Sequence, residues 1–412
     1  MYYSDIIVIG AGAAGLTAAI FAAHTGKKVT VLERTPQAGR KILMSGGTRC
    51  NVLPVQVSQD DYVTESSRNR MRNIFKSWSV ERCHQWFEKE VGLVMACEEE
   101  SNKWFPKSNS AKEVRDLLVK RAEFLGVEIK LQASVASITR AGQYWKVSTD
   151  AGEHYSAPSV IIASGGMSVP STGTDGTGHS IIKKCGHSLH RPYPALTPLK
   201  GPHPGNEPLP GVSLDVDLFP DNPKDQPFKT KRGGFVFTHQ GYSGPAILDV
   251  SHIVVKEIER SGTSAGLRVN WIGESEDWWK SRLEGKQDTT SLLRGHLPRR
   301  LADNLLQENG LAGKKTAQLT RQQRKRLLKD LTSYPLAATG HLGFKKAEVT
   351  GGGVPLSEIN TATMESQLAP GLFLCGEILD VFGRIGGFNF YWAWLTGRLA
   401  GAAACNQQRA KC

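Results

Sequence analysis

Gly10, Gly12 and Gly15 stand in the G-x-G-x-x-G spacing, and Glu33 follows eighteen residues after the last of them. These residue types suit a dinucleotide. The first glycine permits a tight turn, the second admits a pyrophosphate against the backbone, the third lets a helix pack closely on a strand, and the acid accepts from ribose hydroxyls. Cys50, within Gly47-Thr48-Arg49-Cys50-Asn51, is a second reactive group. A dithiol relay would need another cysteine about five residues on, and position 55 is Val55. A lone thiol can still donate a proton to a carbon that receives hydride, with Arg49 tuning its pKa; the other reading is a small packing residue. His239 and Ser243 flank Gly241-Tyr242, ahead of Gly244-Pro245. This segment either holds an anionic or carbonyl group, which His239 orients or protonates, or is a structural turn before a helix at Ala246.

The elements that must position these groups are legible. Ile6-Ile7-Val8-Ile9 reads as a strand running into the glycine turn, Leu16 to Ala23 as a helix, and Lys28 to Leu32 as a second strand ending at Glu33. Gly39-Arg40-Lys41 and Ser45-Gly46-Gly47-Thr48-Arg49-Cys50-Asn51 then place glycine-rich, basic backbone where an NAD domain would continue with ordinary strand–helix alternation. FAD fits better. Far downstream, Gly371 to Asp380 reads as a short strand ending in Gly376 and Glu377, followed by Gly386-Gly387-Phe388-Asn389 and a helix to Ala404. Asp380 is expected to meet ribityl and phosphate hydroxyls. The helix N-terminus is expected to face the flavin pyrimidine ring, where its dipole stabilises negative charge. Thr172 to Gly178 reads as part of the flavin pocket or an incidental loop, and Thr350-Gly351-Gly352-Gly353 as a hinge or a wall of the site.

Ser45 to Asn51, Val160 to Gly166, Phe237 to Ala246, Val349 to Val354 and Gly376 to Asn389 fall in an order and spacing that resemble the BaiN/YhiN-like, or aminoacetone oxidase-like, family of FAD-binding oxidoreductases. The resemblance spans nearly the whole chain. One departure is Phe382-Gly383, where the family usually has Asp-Gly; Asp380 remains. The resemblance implies an α/β fold, an FAD-binding Rossmann-like domain interrupted by a β-barrel that is itself interrupted by helices. Members of the family have been linked both to small-molecule redox chemistry and to reduction of uridine in ribosomal RNA. The cofactor-binding set expected from these segments is Gly10, Gly12, Ala13, Ala14, Gly15, Glu33, Arg34, Gly39, Arg40, Lys41, Ser45, Gly46, Arg49, Asn51, Ala163, Ser164, Gly165, Asp175, Gly376, Glu377, Asp380, Gly386, Gly387, Phe388 and Asn389, with Cys50, His239 and Ser243 as candidates for catalysis.

At 412 residues the chain has room for two or three domains, and its 43 glycines suit an enzyme with many close approaches of backbone to cofactor. The expected partition is an FAD domain over 1–190 and 350–412, a β-barrel over 191–273 and 334–349, and a helical insertion over 274–333. Strand-like runs at Val212 to Leu218, Gly234 to Phe237 and Leu267 to Ile272 alternate with turns at Pro198 to Pro210 and Pro220 to Pro227, and leucines dominate the helical part. The seven cysteines lack CxxC or metal spacing, which points to a reducing compartment and no metal. No apolar run suits a membrane span, and a strand so near Met1 leaves no room for a targeting segment. A cytoplasmic protein, or one inside an organelle after removal of such a segment, is expected. Phe388, Phe390, Tyr391, Trp392 and Trp394 are expected to pack in the core rather than stack on bases.

The formal charge is +12, and between Glu274 and Lys346 fifteen Lys or Arg face eight Asp or Glu, a surplus of seven. Arg321, Arg324, Lys325, Arg326 and Lys329, with Arg294, Arg299 and Arg300, are expected to form a basic face, either a solvated surface or a site for a polyanion. The first functional reading is a flavin reduced by a transient donor, NAD(P)H, that passes hydride to an electron-poor small molecule. The alternatives are an enzyme reducing uridine to dihydrouridine in ribosomal RNA, and a non-catalytic flavin-containing binding protein. The sequence contains one dinucleotide fold, so a nicotinamide would bind shallowly.

Overall fold

The computed structural model describes residues 1–205, 207–221, 232–262 and 265–406; most of the expected Pro220 to Pro227 turn lies outside the described residues. The chain divides into two compact units, one formed by Met1–Pro192 and the residues from Val349 onward, the other by Tyr193–Glu348.

In the first unit, five strands lie in the order Leu372–Leu374, Ser159–Ile162, Ile6–Ile9, Val29–Leu32, Glu128–Lys130. All four pairings are parallel, and the register sets Ile7 opposite both Thr30 and Val160. The three central strands are buried on both faces, which is why they read as continuous apolar runs rather than alternating ones. This is a Rossmann-like arrangement. A second sheet runs Tyr2–Tyr3, His154–Ala157, Tyr144–Thr149, Val135–Ala141.

The helices Ala13–Ala23 and Phe388–Ala404 are apolar nearly all round and pack on each other. Their contact depends on glycine. A Cβ at Gly397 would lie 2.5 Å from the Ala14 carbonyl oxygen, and one at Gly401 would lie 2.2 Å from that of Ala18. The same C-terminal helix fixes the turn after Leu374: Thr396 Oγ1 accepts from the Gly376 amide at 2.9 Å, and Trp392 Nε1 donates to its carbonyl at 3.2 Å. Tyr391, Trp392 and Trp394 are buried in the core, and Phe388 and Phe390 pack against it.

In the second unit seven strands lie in the order Tyr334–Ala338, Ala265–Asn270, Ser213–Pro220, Gly233–Thr238, Gly241–Ser243, Leu199–Lys200, Gly340–His341. The two end strands are separated in sequence by Thr339 alone. Helices follow at Glu276–Leu283, Thr289–Arg294, Arg299–Glu308 and Arg321–Thr332. These helices and the strands share a single apolar core that includes Phe235, Trp271, Leu301, Leu305, Leu327 and Leu331. The helix expected from Ala246 runs Pro245–Ser261, one residue longer at its start because proline, lacking an N–H, is suited to a first helical position.

Candidate active site

The glycine turn has the geometry its spacing foretells. Gly10 has φ +101°, and a Cβ there would sit 2.6 Å from the Ala163 carbonyl oxygen, so only glycine lets the turn lie against the neighbouring strand end. At Gly15 a Cβ would sit 1.9 Å from the Gly10 carbonyl oxygen. Gly12 differs: it precedes the helix Ala13–Ala23, no side chain caps that helix, and nothing lies within 4 Å of an added Cβ. The first-turn amides of Ala13, Ala14 and Gly15 are therefore donors without intrahelical acceptors, at an uncapped helix N-terminus beside open space. That arrangement fits a pyrophosphate.

Glu33, at the end of the second strand, is buried and accepts from the Ala11 amide at 2.7 Å, the Thr35 amide at 2.9 Å and Thr35 Oγ1 at 2.7 Å. It braces the turn, and of about four acceptor positions on a carboxylate one is left for a ribose hydroxyl. Arg34 pairs with Asp175 at 2.6 Å. Burial disfavours the Asp175 charge, but hydrogen bonds from Arg34 and Thr177 outweigh it and lower the carboxyl to about 2. These two candidates are brought together, and each neutralises the other.

Gly39, with φ +69°, donates to the Ala11 carbonyl at 2.9 Å and opens the short helix Arg40–Met44, on which Arg40 is half-buried. Lys41 on that helix donates to Ser168 Oγ and to Glu377 Oε2 at 2.7 Å. Glu377 Oε1 accepts from Ser168 Oγ at 2.8 Å and from the Thr350 amide at 2.9 Å. Burial raises the Glu377 carboxyl, yet Lys41 and the hydroxyl donors more than offset it and hold it below the usual range. Four separate segments thus converge on one ionised carboxylate. Sequence reasoning missed Ser168 and Thr350 as its partners, although Thr350 belongs to a motif it singled out.

The segment Ser45–Asn51 is strained. Gly46, Gly47, Thr48 and Cys50 all have positive φ, between +55° and +72°, and for Thr48 and Cys50 this costs roughly 1–2 kcal/mol each. Cys50 is fully buried, and burial, only partly offset by a hydrogen bond with Ser45, pushes its thiol up to about 12. Arg49 does not tune it, contrary to expectation. The guanidinium turns to Glu98 at 2.9 Å and Asn109 at 2.9 Å and covers the Phe105 ring at 4.0 Å, because those groups satisfy its charge on the other side of the loop. Asn51 Oδ1 and Ser164 Oγ are among the buried polar atoms of this unit that have no hydrogen-bonding partner among the described residues. Ser164 lies between Ala163 and Gly165 at the end of the strand Ser159–Ile162, beside the Gly10 turn. Unpaired polar atoms next to an uncapped helix N-terminus are what a site built for a polar cofactor requires.

Asp380 is engaged within the protein. It is 2% exposed, and its Oδ2 accepts from Thr64 Oγ1, the Glu65 and Ser66 amides, Ser66 Oγ and His190 Nδ1, at 2.8–3.1 Å. That oxygen is spent on protein donors. Asn389 is likewise engaged: its side chain accepts from the Gly383 amide at 2.8 Å and donates to the Gly383 carbonyl at 2.9 Å. Gly386, with φ +115°, packs against Lys103, and Gly387, with φ +93°, opens the helix that starts at Phe388 with no side-chain cap. In Thr350–Gly353, Gly352 abuts the Arg191 carbonyl and Gly353 that of Ile378, so these glycines separate two closely packed backbones.

His239 and Ser243 belong to the second unit. His239 is exposed at the tip of the hairpin joining Gly233–Thr238 to Gly241–Ser243, and Ser243 pairs in that hairpin with Val236. Cβ atoms at Gly241 and Gly244 would collide with the backbones at Leu199 and Gly234, so this glycine-rich turn serves sheet packing.

Among the described residues no helix is long and apolar enough to cross a membrane. Residues 4–403 match the family described as HI0933-like protein Rossmann domain. The chain is 29% identical to the ribosomal RNA dihydrouridine synthase of Escherichia coli, over 98% of this chain and 97% of that one. It is 30% identical to the 3-dehydro-bile acid delta(4,6)-reductase of Clostridium scindens, over 97% and 98%. Among solved structures, Mycobacterium smegmatis Sdh1 aligns with TM-score 0.51 at 16% identity, covering all of this chain and 69% of that one, a likeness of fold alone. With a Rossmann-like sheet, a glycine turn built for a pyrophosphate and this match over nearly its whole length, the chain belongs to the HI0933-like family of FAD-dependent oxidoreductases.

Proposed function

We propose that this protein reduces uridine to dihydrouridine in structured RNA, with NAD(P)H as the electron donor. The observation that carries the RNA over a small substrate is one face of the helix Arg321–Thr332. Arg321, Lys325 and Lys329 recur at four-residue spacing with Arg326 beside them, all exposed. The side chains of Arg321, Lys325 and Lys329 have no ion pair or hydrogen bond among the described residues, and Arg326 has only Asp330 at 3.9 Å. Like charges at this spacing cost a helix about 0.2–0.5 kcal/mol per pair, and cations in its first turn oppose its dipole, so the pattern weakens the helix that bears it. A polyanion removes that penalty. The basic face is narrower than its sequence suggests: Arg294 is paired with Asp303 at 2.8 Å, and Arg300 is held by the Pro208 and Pro210 carbonyls.

The names of both relatives describe saturation of a carbon–carbon double bond conjugated to a carbonyl. Bound FAD supplies hydride chemistry of that kind. In this reading the amides of Ala13, Ala14 and Gly15 hold the pyrophosphate, Glu33 takes a ribose hydroxyl, and Glu377 with Lys41 meets the ribityl chain. The uncapped helix N-terminus at Gly387 and Phe388 meets the electron-rich pyrimidine edge, and Asn51 and Ser164 satisfy their buried atoms on the cofactor. The second unit reads as a closed β-barrel with helices packed on it, serving substrate recognition.

A small conjugated ketone is the second reading, favoured by the Clostridium scindens relative at equal coverage. The deciding experiment maps dihydrouridine in ribosomal RNA from cells with and without the protein, and after treating unmodified RNA with purified protein and NADPH. A site that appears only with the protein supports the proposal. Unmodified RNA in both assays, with turnover of a small enone, transfers the function to the second reading.

A further inference from the structure

Reducing a conjugated double bond adds hydride to one carbon and a proton to its neighbour. The proton needs a source. Cys50 is sealed from solvent and strongly disfavours giving up its proton. We infer that His190, oriented by Asp380, is the proton donor of this reaction; the inference rests on the reductase reading.

The pair is built with care. Asp380 Oδ2 already accepts from two backbone amides and two hydroxyls, so the carboxylate is an acceptor only, and His190 Nδ1, 2.8 Å away, carries the hydrogen between them. Nε2 makes no hydrogen bond among the described residues, and the side chain is 30% exposed while that of Asp380 is 2% exposed. One nitrogen is fixed and the other is presented, the arrangement that orients an imidazole for proton transfer. The charged groups facing the ring are Asp380, at 2.8 Å, and Glu65, at 4.0 Å. The glycines Gly352 and Gly353 make the approach possible, since Cβ atoms there would lie 2.9 Å from the His190 carbonyl oxygen and 3.2 Å from the Asp380 amide. Asp380 is three residues from Glu377, a span of at most about 11 Å, which keeps the imidazole near the carboxylate assigned to the ribityl chain.

In the step itself, the N–H bond at Nε2 of the imidazolium breaks as a C–H bond forms at the carbon beside the carbonyl. Bound, reduced FAD would supply the hydride for the other carbon, and the neutral ring regains its proton from solvent. His190 is the donor and Asp380 a positioning residue.

The test uses the full-length, FAD-loaded protein, reduced by NADPH without oxygen and then mixed with unmodified ribosomal RNA or with cyclohexenone. In His190→Gln, FAD content and reduction by NADPH stay at wild-type levels, while reoxidation by the acceptor slows about 10²-fold. In His190→Ala, added imidazole restores at least about tenfold, a rescue that a structural role would not show. Unchanged reoxidation in His190→Gln, or a loss that imidazole does not repair, overturns the assignment. Wild-type protein that reduces cyclohexenone but not RNA overturns the uridine reading alone, leaving His190 tested on the ketone; wild-type protein that reduces neither overturns both.

Discussion

The Glu33 carboxylate accepts a hydrogen bond from the Ala11 amide at 2.7 Å, so the acid that ends the second strand holds the turn that follows the first. Its other oxygen is anchored by Thr35 through both amide and hydroxyl. The residue therefore does two jobs that the sequence pattern presents as one.

Replacing it separates them. Glu33→Ala leaves the Ala11 and Thr35 amides unsatisfied in a buried setting, which costs roughly 1–3 kcal/mol for each orphaned group before any cofactor is considered, while the Thr35 hydroxyl keeps the Gln37 carbonyl as acceptor. Glu33→Gln keeps an acceptor for one of the two sides. The expected order of FAD retention on gel filtration is wild type, then Gln, then Ala, with the melting temperature of the apoprotein falling in the same order. Equal apoprotein melting temperatures would show that the brace contributes nothing to the fold.

Gly12 and Gly15 are expected to diverge. An added Cβ at Gly15 overlaps the Gly10 carbonyl at 1.9 Å, whereas at Gly12 it meets nothing within 4 Å. Gly15→Ala should yield little soluble protein. Gly12→Val should fold and melt like wild-type apoprotein yet lose its yellow colour, because its bulk stands where the pyrophosphate lies. A Gly12→Val protein with full flavin absorbance removes the phosphate assignment.

How much of this was legible follows from the range of each interaction. Gly10, Gly12, Gly15 and Glu33 form a local pattern of strand, turn, helix and strand, and one sequence window contains all of it. The partners of Asp380, Thr64, Ser66 and His190, were not legible because they come from distant segments. A carboxylate at a strand end looks the same in sequence whether it faces a ligand or its own chain. Gly397 and Gly401 did carry a usable signal, two glycines one helical turn apart in an apolar helix, which announces close helix packing. No such signal marked the convergence of Lys41, Ser168, Thr350 and Glu377, since it depends on three chain crossings.

Cys50→Ala should be silent in catalysis. The thiol, pushed up to about 12, is a poor acid at neutral pH, and Arg49 is engaged with Glu98 and Asn109. Reoxidation of the reduced protein by its acceptor should change by less than about threefold, and the loss of a buried sulfur should lower stability by on the order of 1 kcal/mol. A 10²-fold slowing would return the proton-donor role to Cys50 and take it from His190.

His252 makes the fold acid-sensitive. Burial, and then the Lys256 charge, lower it from 6.5 to about 3 in the folded protein. Between those values the unfolded chain binds a proton that the native chain refuses, so native stability declines as the pH falls from 6.5 towards 3, by up to roughly 5 kcal/mol. His252→Asn removes this titration while keeping a donor for the Asp249 carbonyl, now at 3.0 Å from Nδ1. Its acid-unfolding midpoint should lie at lower pH than that of wild type, even if it is less stable at pH 7. An unchanged difference between the two proteins across that window would contradict the burial argument.

The helix Arg321–Thr332 decides between an RNA and a small molecule. Arg321, Lys325, Arg326 and Lys329 are exposed, and apart from the distant Asp330 they have no ion-pair partner among the described residues. Replacing all four with glutamine relieves their mutual repulsion, so the variant should be at least as stable as wild type, which guards against misreading an unfolded protein. Affinity for ribosomal RNA, measured across a salt series, should fall. The slope of log affinity against log salt should flatten by roughly 0.7–0.9 for each phosphate contact removed. FAD content, reduction by NADPH and turnover of cyclohexenone should be unchanged, because these side chains act on the polyanion and not on the redox chemistry. Parallel slopes for the two proteins would make the face a solvated surface and leave the small conjugated ketone as the better-supported acceptor.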